Sequence, residues 1–199
     1  MSKYSSVLVS QCFWFVEVKK IINLLNDGAT WEEIQVLVYE ENLLALAKMS
    51  RIKSIYRYLK NRISTLDKSM LQLFDHSDLQ TQKIINLIAI AKENRLFFEF
   101  LYEVYSDKAN IKYIDLIPAD VSIFFRAKAE QDEVVANWNE TTLSRLNRGY
   151  RNFMTDAGLL TVVNKSFTIT PPILDIELEA YLIDNGEAHV IKALTGEER

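Results

Sequence analysis

Two stretches of the chain carry side chains suited to a phosphate backbone. From Asn42 to Leu66 stand Lys48, Arg51, Lys53, Arg57, Lys60 and Arg62, with no acidic residue among them. From Thr141 to Thr155 stand Arg145, Arg148 and Arg151, again without an acid. Each such cation can neutralise one phosphate, and Arg or Ser side chains can reach base edges in a groove. The candidate binding residues are therefore Ser50, Arg51, Lys53, Ser54, Arg57 and Lys60 in the first stretch. In and beside the second they are Asn139, Thr141, Thr142, Arg145, Arg148, Arg151 and Lys165. The competing reading is the solvated outer face of an ordinary amphipathic helix. The formal net charge is −4, and the tail from Pro171 to Arg199 holds Asp175, Glu177, Glu179, Asp184, Glu187, Glu197 and Glu198 against Lys192 and Arg199. An acidic total is compatible with a basic face, because an anion responds to the local field.

Signals for catalysis are weak. His76 and His189 lie far apart, and neither has a Cys or His at metal-ligand spacing. No glycines are close enough for a phosphate loop, and no nucleophile-elbow or zinc-protease motif occurs. Glu40-Glu41 and Asp132-Glu133 are adjacent carboxylates, which diverge on a helix. Cys12 is alone, cannot form an internal disulfide, and is expected in the core, where free cysteines are common. The expectation is a binding protein with no enzyme activity, metal, cofactor or small-molecule substrate. A chain with a single cysteine and no apolar run long enough for a bilayer is expected in the cytoplasm.

The elements that position these residues read as helices. With 199 residues, 49% hydrophobic, the chain can bury a real core, and only 5 Gly and 3 Pro favour long helices. Residues 11–26 end at a turn, Asn26-Asp27-Gly28, and Thr30 with Glu33 makes a capping box for a helix to about Tyr39. Asn42 to Lys48 has good helix formers, so the connection itself can be helical. Ser50 can cap a helix from Arg51 to about Leu66, with Ile52, Ile55, Leu59, Ile63 and Leu66 on one face and Lys53, Arg57 and Lys60 opposite. Thr30 to Leu66 thus resembles a helix-turn-helix with a long connection.

Helices follow at 68–75 and 78–95, then a buried one around Phe97 to Val104. Ser106 to Ile114 is the candidate linker between residues 1–110 and 111–199, unless the two form one continuous domain. Pro118 starts another helix, a short one spans 131–138, and Leu143 to Asp156 follows, closed by Gly158. Leu159 to Thr170 reads as a β-hairpin with Lys165 at its tip, and one or two acidic helices finish the chain. Helix, helix, turn, helix and hairpin is the order of a winged helix-turn-helix. The expected fold class is mostly α: a helical bundle with a helix-turn-helix-like segment, plus a C-terminal winged-helix-like module with one short β-hairpin. Gly149, mid-helix, points to close approach by a neighbouring helix or by DNA.

The run from Phe124 to Leu160, FFRAKAEQDEVVANWNETTLSRLNRGYRNFMTDAGLL, resembles the BrxA family of bacterial BREX phage-resistance systems. So do Asp27-Gly28, Trp31-Glu32-Glu33-Ile34, Glu41-Asn42-Leu43 and the basic stretch ending in Arg62-Ile63-Ser64-Thr65-Leu66. The resemblance covers most of the chain. It implies an all-helical accessory protein similar to the antitermination factor NusB, acting beside other defence components and contacting double-stranded DNA through helix-turn-helix-like elements. Two alternatives stay open: a protein-interaction adaptor within the defence assembly, and NusB-like RNA binding.

Overall fold

The N-terminal half is a bundle arranged around one helix buried on every side. In the computed structural model, which describes residues 3–111 and 115–198, a 3₁₀ turn (Val7–Ser10) precedes α1 (Phe15–Asn26), α2 (Trp31–Tyr39), α3 (Met49–Ile63), α4 (Lys68–His76) and α5 (Leu79–Glu93). Every residue of α5 from Ile84 to Ala91 is buried. A helix apolar all round belongs at the centre of a bundle, and α1, α3, α4 and α10 (Glu140–Asp156) pack against it.

The chain continues through α6 (Arg95–Phe100), a π-helical turn (Leu101–Tyr105) and α7 (Ser106–Asn110) as one unbroken run of helix. The expected linker is therefore helical from Ser106 to Asn110, with Ser106 and Ala109 buried; its residues 112–114 lie outside the described residues. Beyond it come α8 (Pro118–Gln131), α9 (Glu133–Ala136), α10, the strands β1 (Leu160–Val163) and β2 (Ser166–Ile169), α11 (Ile176–Asp184) and α12 (Ala188–Thr195). The strands pair antiparallel, Leu160 opposite Ile169 and Val163 opposite Ser166. The fold is mostly α with one two-stranded sheet near the C-terminus. Buried apolar side chains from Tyr4 to Leu194 form one cluster.

Local chemistry explains the boundaries. The Thr30–Glu33 capping box forms with both of its hydrogen bonds, and Pro118 occupies the first turn of α8. Gly158 has φ +80°, and a Cβ there would meet the Gln80 amide at 2.7 Å, so it can be no other residue without rearrangement. Gly149 lies against the Leu8 carbonyl. The neighbour it admits is thus the N-terminal 3₁₀ turn, in place of the expected helix or DNA.

Three local expectations are corrected. Asn42 to Lys48 is loop rather than helix: Asn42 and Ala45 have φ +52°, and the Asn42 side chain accepts from the Leu46 amide at 3.0 Å, a local bond that competes with helix. Ser50 does not cap α3, which begins at Met49, two residues earlier than expected, with Lys48 at the cap position and no side-chain cap bond. Cys12 is exposed, not in the core. It sits on an extended segment whose neighbours Gln11 and Phe13 turn inward, so alternation turns Cys12 outward.

Candidate nucleic-acid interface

The two basic stretches form two separate surfaces. On α3, the stripe Ile52, Ile55, Leu59 and Ile63 is buried, which forces Arg51, Lys53, Ser54 and Arg57 to the exposed side and leaves Lys60 half-exposed. Lys53, Ser54, Arg57 and Lys60 join Gln35, Tyr39 and Tyr56 around a shallow groove of about 370 Å³ between α2 and α3. The cations rest on rings. Lys53 Nζ lies 5.7 Å from the centre of Tyr39, Arg57 5.2 Å from Tyr58 and Lys60 5.3 Å from Trp31. Such contacts hold a charge in place without neutralising it. Among the described residues none of the three makes an ion pair. Ser50 and Arg51 are exposed but stand outside this groove, and the Ser54 hydroxyl donates to the Ser50 carbonyl.

Arg62, the sixth cation of the stretch, belongs to the core. Its guanidinium is fully buried under Trp14 and donates to the carbonyls of Phe13 (2.8 Å) and Cys12 (3.0 Å) and to Gln11 Oε1 (2.8 Å). Burial pulls its pKa down to about 10. The nearby Glu93 carboxyl is pushed up, mainly by burial.

The second surface lies between α8 and α10. A groove of about 910 Å³ is floored by Phe125, Ala129 and Leu143 and edged by Arg126, Arg145 and Arg148, with Ser122, Glu140, Thr141, Ser144 and Asn147 completing it. The Asn139 side chain accepts from the Thr142 amide at 2.8 Å, so it caps α10 and occupies one of the amides that an anion would use. Arg151 leaves the groove. It stacks on Phe167 of β2 at 4.7 Å and is half-buried, which lowers its pKa together with repulsion from Arg148. Lys165 is exposed at the hairpin tip, where Asn164 and Lys165 have φ +49° and +69°. Arg126 takes the place that Arg145–Arg148–Arg151 spacing assigned to Arg151. Sequence reasoning missed it because it sits on the preceding helix, and only the α8–α10 packing brings it alongside.

Among the described residues no group of His, Cys, Asp and Glu is arranged to hold a metal, and no helix is long and apolar enough to cross a membrane.

Comparison with known proteins agrees with this whole-chain architecture. The BrxA family model matches residues 2–186. A Bacillus cereus (strain H3081.97) protein named BREX protein BrxA is 33% identical over 194 residues, covering 98% of this chain and 97% of that one. A protein of the same name from Paramagnetospirillum magneticum (strain ATCC 700264 / AMB-1) is 21% identical over 178 residues, 89% of each chain. The fold matches the crystal structure of an uncharacterized protein from Magnetospirillum magneticum with a TM-score of 0.81, at 20% identity over 98% of this chain and 100% of that one. With a family match over nearly its whole length and a relative one-third identical across it, the chain belongs to the BrxA family.

Proposed function

We propose that this chain, by family an accessory protein of a BREX phage-defence system, works by binding duplex DNA, mainly through its phosphate backbone. The observation that carries this is the α3 face, where Lys53, Arg57 and Lys60 project unneutralised from a helix that follows α2 in helix-turn-helix order. Support comes from α8, α9, α10 and the hairpin, which follow the order of a winged helix. Arg126, Arg145 and Arg148 lie along its third helix and groove, and Lys165 at the tip of the wing. In this reading the protein binds without catalysing, acts in the cytoplasm, needs no cofactor, and has other defence components as further partners.

The test is fluorescence anisotropy of labelled duplex across a salt series. It compares the wild type with Lys53→Ala/Arg57→Ala/Lys60→Ala and Arg126→Ala/Arg145→Ala/Arg148→Ala, each checked for folding by circular dichroism. Binding should weaken linearly in log–log form with salt, and each triple variant should flatten that slope by up to about 3, roughly one per lost phosphate contact. No binding at low salt, or binding indifferent to salt, removes the reading. Preference for an RNA competitor over duplex would move it to the RNA alternative.

A further inference from the structure

The helix α11 buries only one of its two apolar faces. Leu178 and Leu182 are buried, where α11 packs against α4 and α12. On the opposite side Ile176 is 84% exposed, Ile183 49%, and Ala180 is exposed between them, while Ile173 just upstream is 97% exposed. Positions 176, 180 and 183 fall within about 60° of the helix circumference, so they form one stripe at the spacing used in helix recognition. Aliphatic side chains grouped in this way mark a contact surface, whereas single ones scattered over a protein need no explanation.

The charges around the stripe narrow what can cover it. Glu177 and Asp184 line one edge and Glu179 the other. Among the described residues neither Glu177 nor Asp184 makes an ion pair. Beyond Glu177 the surface falls into a cleft of about 330 Å³ between α4 and α11, lined by Ser69, Gln72, Leu73, His76, Glu177 and Tyr181. No Lys or Arg lines it. The Glu177 carboxylate, the Gln72 amide oxygen and the hydroxyls of Ser69 and Tyr181 are all acceptors, so an ammonium or guanidinium finds partners there. A nucleic acid or an anionic bilayer is repelled by the same carboxylates. An apolar face with basic flanks matches both the stripe and its edges.

We propose that α11 is a docking helix for another protein: its isoleucine stripe takes the apolar face of a basic amphipathic helix, whose Lys or Arg side chains reach Glu177, Asp184 and the α4–α11 cleft. The surface shares no side chain with either basic groove, so the DNA reading can fail without touching it. One nine-residue helix makes a small interface, which implies weak, dissociable and salt-sensitive binding.

The test is methyl NMR of the full chain, free of nucleic acid and labelled at its isoleucines. The probe is a synthetic helical peptide of Leu, Lys and Ala, with Leu along one face and Lys on its flanks. Signals of Ile173, Ile176 and Ile183 should shift, while those of Ile111 and Ile123, exposed but outside the stripe, should stay. An isomer with Leu and Lys scrambled should bind about tenfold more weakly, and so should one with Glu in place of Lys. Ile176→Ser/Ile183→Ser should lose binding. Glu177→Gln/Asp184→Asn should weaken it and remove its salt dependence. All four positions are exposed, so both variants should keep the wild-type circular dichroism. Stripe signals that ignore the peptide overturn the proposal, as do equal binding of the ordered and scrambled peptides and binding that survives the stripe variant. A wild type that sediments as a dimer broken by the stripe variant would make the occupant a second copy. A stripe that takes up phosphatidylcholine vesicles and not the peptide would make it a lipid surface. Either result also overturns the proposal.

Discussion

At the scale of single residues, six cations with the same sequence neighbourhood have two different jobs. Lys53, Arg57 and Lys60 face solvent, whereas Arg62 is buried and binds three oxygens of the segment Gln11 to Phe13. A helix explains the division: Arg62 falls three residues after Leu59 and one before Ile63, on the apolar edge, whereas Lys53, Arg57 and Lys60 lie opposite. Arg62→Met should take the donor from the Cys12 carbonyl and from Gln11 Oε1, while the Phe13 carbonyl keeps Asn86 Nδ2 at 2.8 Å, and should cost about 2–4 kcal/mol, since each buried acceptor left unsatisfied costs about 1–3 kcal/mol. Thermal unfolding followed by circular dichroism should show a midpoint lower by roughly 10 °C for a chain of this size. Arg57 is the opposite case: Arg57→Met should leave the midpoint within a degree or two, about what a surface change does, and should weaken only the salt-sensitive binding. An unchanged midpoint for Arg62→Met would show that the buried network contributes nothing net. The sequence placed Arg62 beside the apolar stripe but could not show that it is buried, because its acceptors come from a segment some fifty residues earlier.

At the scale of elements, what was legible was what is local. The capping box at Thr30, the proline at the start of α8, the Gly158 turn and the hairpin all depend on residues within a few positions of one another, and all form. The Ser50 cap failed because α3 starts at Met49, which puts Ser50 inside the helix. Arg126 and the α8–α10 groove were invisible for the same reason in reverse: they exist only once two helices pack. The hairpin allows a sharper test. Both turn residues have positive φ, the conformation of a type I′ turn, in which Gly is favoured at the second position. Lys165→Gly should therefore raise stability by up to about 1 kcal/mol, by relieving a left-handed non-glycine residue. If the tip meets DNA as a wing, the same substitution should weaken duplex binding and reduce its salt slope by about 1. A gain in stability with unchanged binding would keep the turn argument and remove Lys165 from the interface.

At the scale of the whole molecule, a charged cluster ties together segments that the sequence keeps far apart. Glu99 on α6 accepts from Tyr4 at 2.7 Å, pairs with Arg95 at 2.6 Å and meets Lys128 of α8 at 2.6 Å; Lys128 also bonds Glu103 at 2.6 Å. The N-terminal segment, α6 with the π-helical turn that follows it, and α8 are thereby joined at one point. Burial by itself would raise the Glu99 carboxyl, but hydrogen bonds from Lys128, Tyr4 and Arg95 outweigh it and hold the pKa below the ordinary glutamate value. An acid with a depressed folded pKa contributes stability that is complete above its unfolded pKa, about 4.3, and is lost as pH falls through the folded value. Glu93 runs the other way. Its folded pKa is raised by burial, so it opposes folding when ionised, and it gives back stability as pH falls from its folded pKa toward the unfolded one. Urea unfolding midpoints followed from neutral pH down to about 3 should decline on the acid side for the wild type. Glu99→Gln should start lower at neutral pH and fall less steeply below the ordinary glutamate range. Glu93→Gln should instead gain stability at neutral pH and lose the compensating rise. Equal acid slopes in wild type and Glu99→Gln would show that the three segments are held by packing alone, and that the cluster only decorates their junction.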